Sequence, residues 1–254
     1  NAIKINGQVL LDMADNSCHF KFSDTSSNAA LGGDSLNTGT IVKPGGGFNA
    51  DPDGDDLYLA ISGATVADVS NSINSSSATK TATASGSPVL STSTTQSRFY
   101  GKALKFDPAT NQNIVVTHNT ELNLGSSNFT IEGWLYPEIN EGYMVCAWAA
   151  SGGSNRQFLV QIGSTNSYSV KWFAKDSSGG NHIIETAANT VPQNQWTHVA
   201  LVRNGNEMAI YINGTKKVTD DYTGVTLRDP GTNWCIGANL HNYPANEFQG
   251  YMND

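Results

Sequence analysis

The chain has 254 residues, of which 38% are hydrophobic and 14% charged, and its net charge is −8. This length suits one β-sandwich of about 200 residues plus a shorter segment better than two full domains. No apolar run approaches the ~18–20 residues of a membrane span, no signal peptide is recognisable, and no Lys/Arg cluster offers the basic surface that nucleic acids require. We therefore expect neither a membrane span nor a nucleic-acid partner.

The first 50 residues differ in composition from the rest. A hairpin is predicted around Asn6-Gly7, because Asn-Gly between short apolar runs favours a tight turn. Residues 23–47 are rich in Ser, Asn, Gly and Thr, and such a segment buries little apolar surface by itself. We predict that residues 1–50 form an extended N-terminal arm, or the remnant of an upstream domain with a Gly-rich linker. The folded domain is predicted to span residues 51–254.

Strands are predicted at short intervals through the domain. An apolar strand is expected at Leu57–Ile61, and weak edge strands at 79–84 and 88–90 within a Ser/Thr-rich stretch. After Gly101 strands recur every 8 to 12 residues, the spacing of a sandwich. These twelve are 102–107, 112–117, 129–137, 143–149, 157–162, 168–175, 181–187, 196–204, 207–212, 215–218, 233–239 and 248–252. No segment keeps a 3.6-residue period, so little helix is expected.

The clearest local pattern lies at residues 195–218. Trp196, His198, Ala200 and Val202 alternate with apolar and polar neighbours, and a second alternating run follows at 207–212. Asn213-Gly214 then closes a turn before 215–218, and Asn-Gly between alternating runs favours a type I′ turn. Two strands and a tight hairpin in so short a stretch predict antiparallel sheet.

Four segments carry a family resemblance. They are KALKFD at 102–107, FTIEGWLYP at 129–137, WTHVALVRNG with YING at 196–214, and CIGAN with FQGYMND at 235–254. In order and spacing they resemble the laminin-G-like domains of the concanavalin A-like lectin/glucanase superfamily. The resemblance implies an all-β, two-sheet antiparallel jelly-roll sandwich, which is commonly used to bind glycans or proteins. It also implies a further strand after residue 254, so we expect a longer polypeptide.

No pattern of catalytic residues accompanies this resemblance. Glucanases of the superfamily carry two glutamates and an aspartate on one strand, so that two carboxylates lie about 5 Å apart. Here Glu132 stands alone in the corresponding strand. The five histidines have no metal-ligand spacing, and no nucleophile motif is present. We expect a protein that is not an enzyme.

The resemblance also allows a structural calcium ion, although no cofactor is required. Its ligands would be Asp107 and Asp254, at the rim of the sandwich. The family's F-D-G-x-x-D becomes F-D-P-A-T-N at residues 106–111, which lowers the charge of that site.

Glycan binding requires exposed aromatic rings beside short polar side chains. The aromatic candidates in or beside predicted loops are Tyr168, Trp234, His241 and Tyr243. The polar candidates are Asn155, Arg156 and Asn242. Trp134, Trp148 and Trp196 are predicted to lie in the core, while Trp172 fits either position.

Three cysteines, Cys18, Cys146 and Cys235, are interpreted as buried reduced thiols. A disulfide between Cys146 and Cys235 would require Cα atoms within about 7 Å, which the sequence leaves open.

The approach to the first family strand, SRFYGKALKF at 97–106, is similar to that of laminin-G-like modules in bacteriophage tail and head proteins. We therefore expect a non-catalytic adhesion or structural module on a virion surface, in a fibre, an appendage or a capsid decoration. The arm would contact other virion subunits or a second copy of the chain, and the loops would contact host-surface glycans. The alternatives are a carbohydrate-binding module of a secreted bacterial enzyme, which would be extracellular, and an architectural domain without a ligand.

Overall fold

A computed structural model describes residues 3–5, 8–10, 56–63, 65–86, 90–99, 101–148, 155–239 and 247–253. Its contacts divide the chain into two units, Asn1–Asp51 and Pro52–Asp254. In the first unit, β1 (Ile3–Ile5) and β2 (Gln8–Leu10) pair in antiparallel fashion, which confirms the hairpin predicted around Asn6-Gly7. The remainder of the predicted arm lies outside the described residues.

In the described part of the second unit, the regular secondary structure consists almost entirely of strands, as predicted. They are β3 (Ala82–Ser85), β4 (Ser91–Ser93), β5 (Ala103–Phe106), β6 (Asn113–Val116), β7 (Phe129–Pro137), β8 (Gly142–Trp148), β9 (Arg156–Ile162), β10 (Val170–Lys175), β11 (Asn181–Glu185), β12 (Thr197–Asn204), β13 (Glu207–Ile212), β14 (Thr215–Asp221), β15 (Trp234–Ile236) and β16 (Gly250–Asn253). Short 3₁₀ turns occur at Ser70–Ser72, Pro108–Thr110 and Thr120–Leu122. Each of the twelve strands predicted after Gly101 overlaps an observed strand.

The strands form two seven-stranded sheets in which every described pair is antiparallel. Sheet A has the order β11-β10-β9-β8-β15-β6-β3, and sheet B has the order β14-β13-β12-β7-β16-β5-β4. Strands distant in sequence are neighbours, since β16 lies between β5 and β7, and β15 lies between β6 and β8. This interleaving of chain ends and middle is that of the predicted jelly roll.

The hydrophobic core lies between the sheets, because alternate residues of each strand point inward. Its largest side chains include Trp172, Phe158 and Phe106, all fully buried. The indole Nε1 of Trp172 donates a hydrogen bond of 2.7 Å to the hydroxyl of Tyr222. Burial raises the pKa of the Tyr222 hydroxyl to about 12, so this group stays neutral in the core.

One arginine belongs to the inward face of β12. Arg203 is 4% exposed, and burial lowers the pKa of its guanidinium. The group donates to the carbonyl oxygens of Gly125 at 3.1 Å, Val225 at 2.7 Å and Gly205 at 3.3 Å. These bonds fix three loops at one end of sheet B.

The strand predicted at Leu57–Ile61 is wrong. The segment forms no ladder with a neighbouring strand, although Leu59 and Ile61 pack against the core. Its backbone bonds instead to a polar turn, since Ala60 N donates to the Asp68 carboxylate at 3.1 Å and Ala60 O accepts from Val69 N at 2.8 Å. An apolar run therefore reached the core without joining a sheet.

Candidate functional site

The outer face of sheet B carries aromatic residues that the core does not use. On β7, Ile131 and Leu135 contribute to the core. The alternating residues Glu132, Trp134 and Tyr136 therefore point away from it. Their exposure agrees, since Glu132 is exposed and both aromatic residues are half-buried.

Six rings adjoin on this surface, which we call the aromatic face. They belong to Phe99, Trp134, Tyr136, Trp196, His198 and Tyr251. The register of sheet B brings them together, because His198 lies opposite Trp134, and Tyr251 lies opposite Tyr136. Ring centroids are 5.3 Å apart for Trp134 and His198, and 5.5 Å apart for Tyr136 and Trp196. The pairs are tilted or edge-to-face, the geometry that ring quadrupoles favour.

Two cations lie over rings of this face. The guanidinium of Arg98 is 4.2 Å from the ring centroid of Trp134, and Lys105 Nζ is 5.9 Å from that of Tyr251. Both distances are within the ~6 Å range of cation–π attraction. The aromatic face therefore combines apolar rings with exposed hydrogen-bond donors.

His198 and Glu132 add a polar pair beside Trp134. Their Nε2 and Oε2 atoms are 3.4 Å apart. The hydrogen bond from His198 lowers the pKa of Glu132 against the opposing effect of its partial burial. The backbone of His198 is held in place by the Asn213 side chain, which accepts from its N–H at 2.9 Å.

The C-terminal strand supports the other side of the face. Asn253 is 3% exposed, and its side chain accepts from Phe99 N at 2.8 Å and donates to Lys102 O at 3.0 Å. Since Phe99 follows Arg98 directly, Asn253 also positions the cation over Trp134.

Two predictions about tryptophans are wrong. Trp234 was expected to be an exposed ring in or beside a loop, but it is 5% exposed and packs edge-to-face on Phe158 at 4.9 Å. Trp134 and Trp196 were expected in the core, but both are half-buried on the outer side of sheet B. Trp148 is buried, as predicted, but it belongs to a smaller apolar cluster on the outer side of sheet A and not to the core between the sheets.

The other candidate residues do not form one site in the described structure. Asn155 and Arg156 lie at the start of β9, and Tyr168 lies beyond its other end, at Ile162. Seven strand residues span about 20 Å, which separates the two groups. Arg156 covers the ring of Trp148 at 4.8 Å, and Tyr168 occupies a turn with φ of 53°.

His241, Asn242 and Tyr243 lie outside the described residues, as does Asp254, the second predicted calcium ligand.

The cysteine pair is settled by strand geometry. Cys146 and Cys235 lie directly opposite each other on β8 and β15, fully buried. Gly237 N donates to Met144 O at 3.1 Å, so these two residues form a hydrogen-bonded pair of the antiparallel ladder. Hydrogen-bonded and non-hydrogen-bonded pairs alternate, and the cysteines lie two positions along, so they form a hydrogen-bonded pair as well. The Cβ atoms of directly opposite residues lie about 4.5–5.5 Å apart, and hydrogen-bonded pairs have the longer of these distances. A disulfide needs a Cβ–Cβ distance of about 3.5–4.5 Å. Both are therefore reduced thiols and not a disulfide, and burial raises the pKa of Cys235 well above its ordinary value.

Two carboxylates approach each other near the end of β5. Glu247 is 3% exposed, and among the described residues its carboxylate oxygens have no hydrogen-bond partner. Burial, and then the nearby charge of Asp107, raise the pKa of Glu247. Oxygen ligands suit calcium, so the two residues fit part of a calcium site. The described residues contain no group of three His, Cys, Asp or Glu side chains that could hold a metal ion.

One arrangement superficially resembles a catalytic triad. Asp176 accepts from Ser178 Oγ at 2.6 Å and contacts His182 Nε2 at 3.1 Å. The carboxylate therefore lies between the other two, and the histidine does not activate the serine. Hydrogen bonds from Ser178 and His182 lower the pKa of Asp176, as expected for a turn-stabilising carboxylate.

Two antiparallel seven-stranded sheets with an aromatic outer face define a jelly-roll sandwich with a candidate binding surface. Residues 109–254, more than half of the chain, match the laminin G type of the concanavalin A-like lectin/glucanases superfamily. The chain belongs to this family, as the sequence resemblance predicted. A comparison with curated proteins finds no match.

Solved structures with a similar fold come from toxins and from an enzyme. The binding domain of Paraclostridial Mosquitocidal Protein 1 has a TM-score of 0.60 and 19% identity, over 79% of this chain and 49% of that one. The ligand-binding domain of botulinum neurotoxin serotype D, in complex with N-acetylneuraminic acid, has a TM-score of 0.53 and 15% identity, over 79% of this chain and 47% of that one. Domain 4 of AbnA, an extracellular arabinanase from Geobacillus stearothermophilus, was solved in complex with arabinotriose. It has a TM-score of 0.53 and 15% identity, over 78% of this chain and 89% of that one.

At these identities the likeness shows a shared fold. This chain spans about half the length of the toxin binding domains. No helix among the described residues has the length and apolar character needed to cross a bilayer.

Proposed function

We propose that this chain is a non-catalytic, lectin-like module that binds glycans through the aromatic face. The observation that carries the proposal is the group of half-buried rings centred on Trp134 and Tyr136, on the solvent side of sheet B. Soluble proteins rarely leave a large contiguous apolar surface without a partner. Because the rings are supported by a sheet, little conformational entropy would be lost when a ligand binds.

The chemistry of the face suits a sugar. The C–H side of a pyranose ring packs on an aromatic ring, while its hydroxyl groups require nearby donors and acceptors. Glu132, His198 and Gln96 supply such groups, and Gln96 Nε2 already lies 3.5 Å from the Tyr136 hydroxyl. Similar folds bound to arabinotriose and to N-acetylneuraminic acid support a glycan as the ligand class.

A glycan array with purified protein tests the proposal. Trp134→Ala is expected to lower the affinity for any bound glycan by at least about tenfold, as the loss of a central aromatic contact does. Tyr168→Ala is the matched control, because this half-buried tyrosine lies on a turn of sheet A and is expected to leave binding unchanged. Far-UV circular dichroism confirms that both variants are folded. Loss of binding in Tyr168→Ala but not in Trp134→Ala would contradict the assignment.

For the biological setting, we propose an adhesion or structural module of a bacteriophage virion protein. The similarity of residues 97–106 to phage modules supports this setting. The partners would be other virion subunits or a second copy, with host-surface glycans at the aromatic face. Antibodies against the chain should then label purified particles.

A second candidate is a carbohydrate-binding module of a secreted enzyme. The similarity to Domain 4 of the arabinanase favours it, because 89% of that domain is covered. In that case the antibodies should detect the chain in culture supernatant, joined to a catalytic domain. An architectural domain would instead bind no glycan in the array.

Calcium is a separate proposal, with Asp107 and Glu247 as its side-chain ligands. A buried carboxylate without a partner is unfavourable, and a divalent cation would compensate it. Millimolar Ca²⁺ is therefore expected to raise the melting temperature relative to EDTA, whereas Glu247→Gln should remove this response. The variant should melt at a higher temperature than the wild type in EDTA, because the buried charge is gone. An equal calcium response in both proteins would refute the assignment.

A further inference from the structure

The position of Arg98 on the aromatic face indicates which glycans it selects. Arg98 is exposed, and its guanidinium lies 4.2 Å from the ring centroid of Trp134 and 5.5 Å from that of Phe99. None of the ion pairs found among the described residues involves Arg98. Among the described residues the cation is therefore held by rings and is not paired with a carboxylate.

Arg98 is exposed, and no hydrogen bond from its guanidinium is found among the described residues, so its N–H donors are available to a ligand. Ring contacts use the flat side of the group, whereas its N–H donors lie in its plane. Two parallel N–H donors match the two oxygens of a carboxylate, and such bidentate bonds are among the stronger hydrogen bonds in proteins. A carboxylate placed there would accept the hydrogen bonds for which the described residues supply no acceptor.

The local charge also favours an acidic ligand. Lys105, another exposed cation outside the ion pairs of the described residues, lies over the Tyr251 ring of the same face. Glu132, an acidic residue described on the same face, is paired with His198 at 3.4 Å. The chain as a whole carries a net charge of −8, so the positive charges of Arg98 and Lys105 are opposite in sign to that of the molecule. Opposite local charge steers an anionic ligand to the site.

We propose that the aromatic face selects glycans that carry a carboxylate, with Trp134 packing against the sugar ring and Arg98 binding the carboxylate. The inference rests on the proposed glycan-binding function and specifies its ligand class. Uronic acids and sialic acids share this chemistry, since both place a carboxylate on a pyranose ring.

Matched pairs of ligands test the selectivity by calorimetry. Oligogalacturonate is compared with the same oligomer after reduction of its carboxyl groups, and 3′-sialyllactose is compared with lactose. The acidic member of at least one pair is expected to bind about 10- to 100-fold more tightly, as a charge-assisted bidentate contact allows. The pair that shows the difference identifies the source of the carboxylate.

Variants at position 98 assign the contact. Arg98→Ala should lower the affinity for the acidic glycan clearly more than the affinity for its neutral counterpart, so that the difference between the two is lost. Arg98→Lys keeps the charge but loses the planar fork, so it should retain part of the affinity. Melting temperatures check that these surface variants stay folded.

Three outcomes would overturn the inference. Equal binding of acidic and neutral members, unchanged by Arg98→Ala, would remove the carboxylate selectivity while leaving the glycan-binding function in place. Preference for a sulfated glycan over the carboxylated ones would assign a different acidic group. Absence of binding to every glycan, neutral ones included, would overturn the proposed function as well.

Discussion

At the scale of single residues, Asp68 shows how one buried carboxylate organises a segment without regular structure. It is 7% exposed and accepts from the backbone N–H groups of Ala60 at 3.1 Å, Ser70 at 2.9 Å and Lys80 at 2.8 Å. Burial by itself raises the pKa of Asp68, but the three backbone donors together outweigh it and hold the pKa below 3.8. One side chain thus connects three parts of the approach to sheet A.

We expect Asp68→Asn to lower the free energy of unfolding at pH 7 by about 1–3 kcal/mol, because a backbone donor loses its acceptor. The pH dependence has a defined sign. Since the folded pKa is below the unfolded one, the ionised carboxylate stabilises the fold above about pH 4, and this contribution is lost as the pH falls through the folded pKa. In urea unfolding between pH 2 and 7, the free energy of unfolding should decrease less steeply with falling pH in the variant than in the wild type. Asp56→Asn, at an exposed position, is the control and should match the wild type.

At the scale of elements, the hairpin between β13 and β14 depends on its backbone conformation. Asn213 and Gly214 have φ values of 49° and 74°, which confirms the predicted turn with two positive φ angles. A Cβ at Gly214 would meet no atom within 4 Å, so only backbone strain opposes a side chain there. Gly237, with φ of 85°, differs because its Cβ would also collide with the ring of Phe106.

The two glycines therefore separate strain from packing. Gly214→Ala is expected to cost about 1 kcal/mol, the price of a left-handed backbone for an L-residue. Gly237→Ala should cost clearly more, because Phe106 must also move within the core. Chemical denaturation of both variants measures the difference. Equal losses would show that the core absorbs the collision without cost.

At the scale of the whole molecule, both sheets and the core between them belong to residues 52–254. We expect this part of the chain to fold without residues 1–51. Its circular dichroism should show an all-β spectrum, and its melting temperature should lie within a few degrees of that of the full chain. A truncated chain that aggregates or shows no cooperative transition would refute this expectation.

Much of the fold was predictable because its signals are local. Alternation along β7 and β12, and the Asn-Gly turn after β13, depend only on neighbouring residues. The same alternation indicates the position of Trp134, because Trp134 shares one face of β7 with the charged Glu132, whereas Ile131 and Leu135 lie on the opposite face. The polar and apolar faces of β7 therefore predict that Trp134 and Tyr136 lie on the outer side of the sheet.

The amino-acid sequence by itself determined the strands, their turns and the family, because periodicity and turn chemistry act within a few residues of each position. Only the tertiary structure decided which aromatic residues are accessible, since burial depends on what the opposite sheet and the connecting loops cover. It placed Trp234 against Phe158 in the core and left Trp134 beside Arg98. It also brought Glu247 near Asp107, which lies 140 positions earlier, through the pairing of β16 with β5. Proximity between residues so far apart in the chain is a property of the sheet order, which no local pattern encodes.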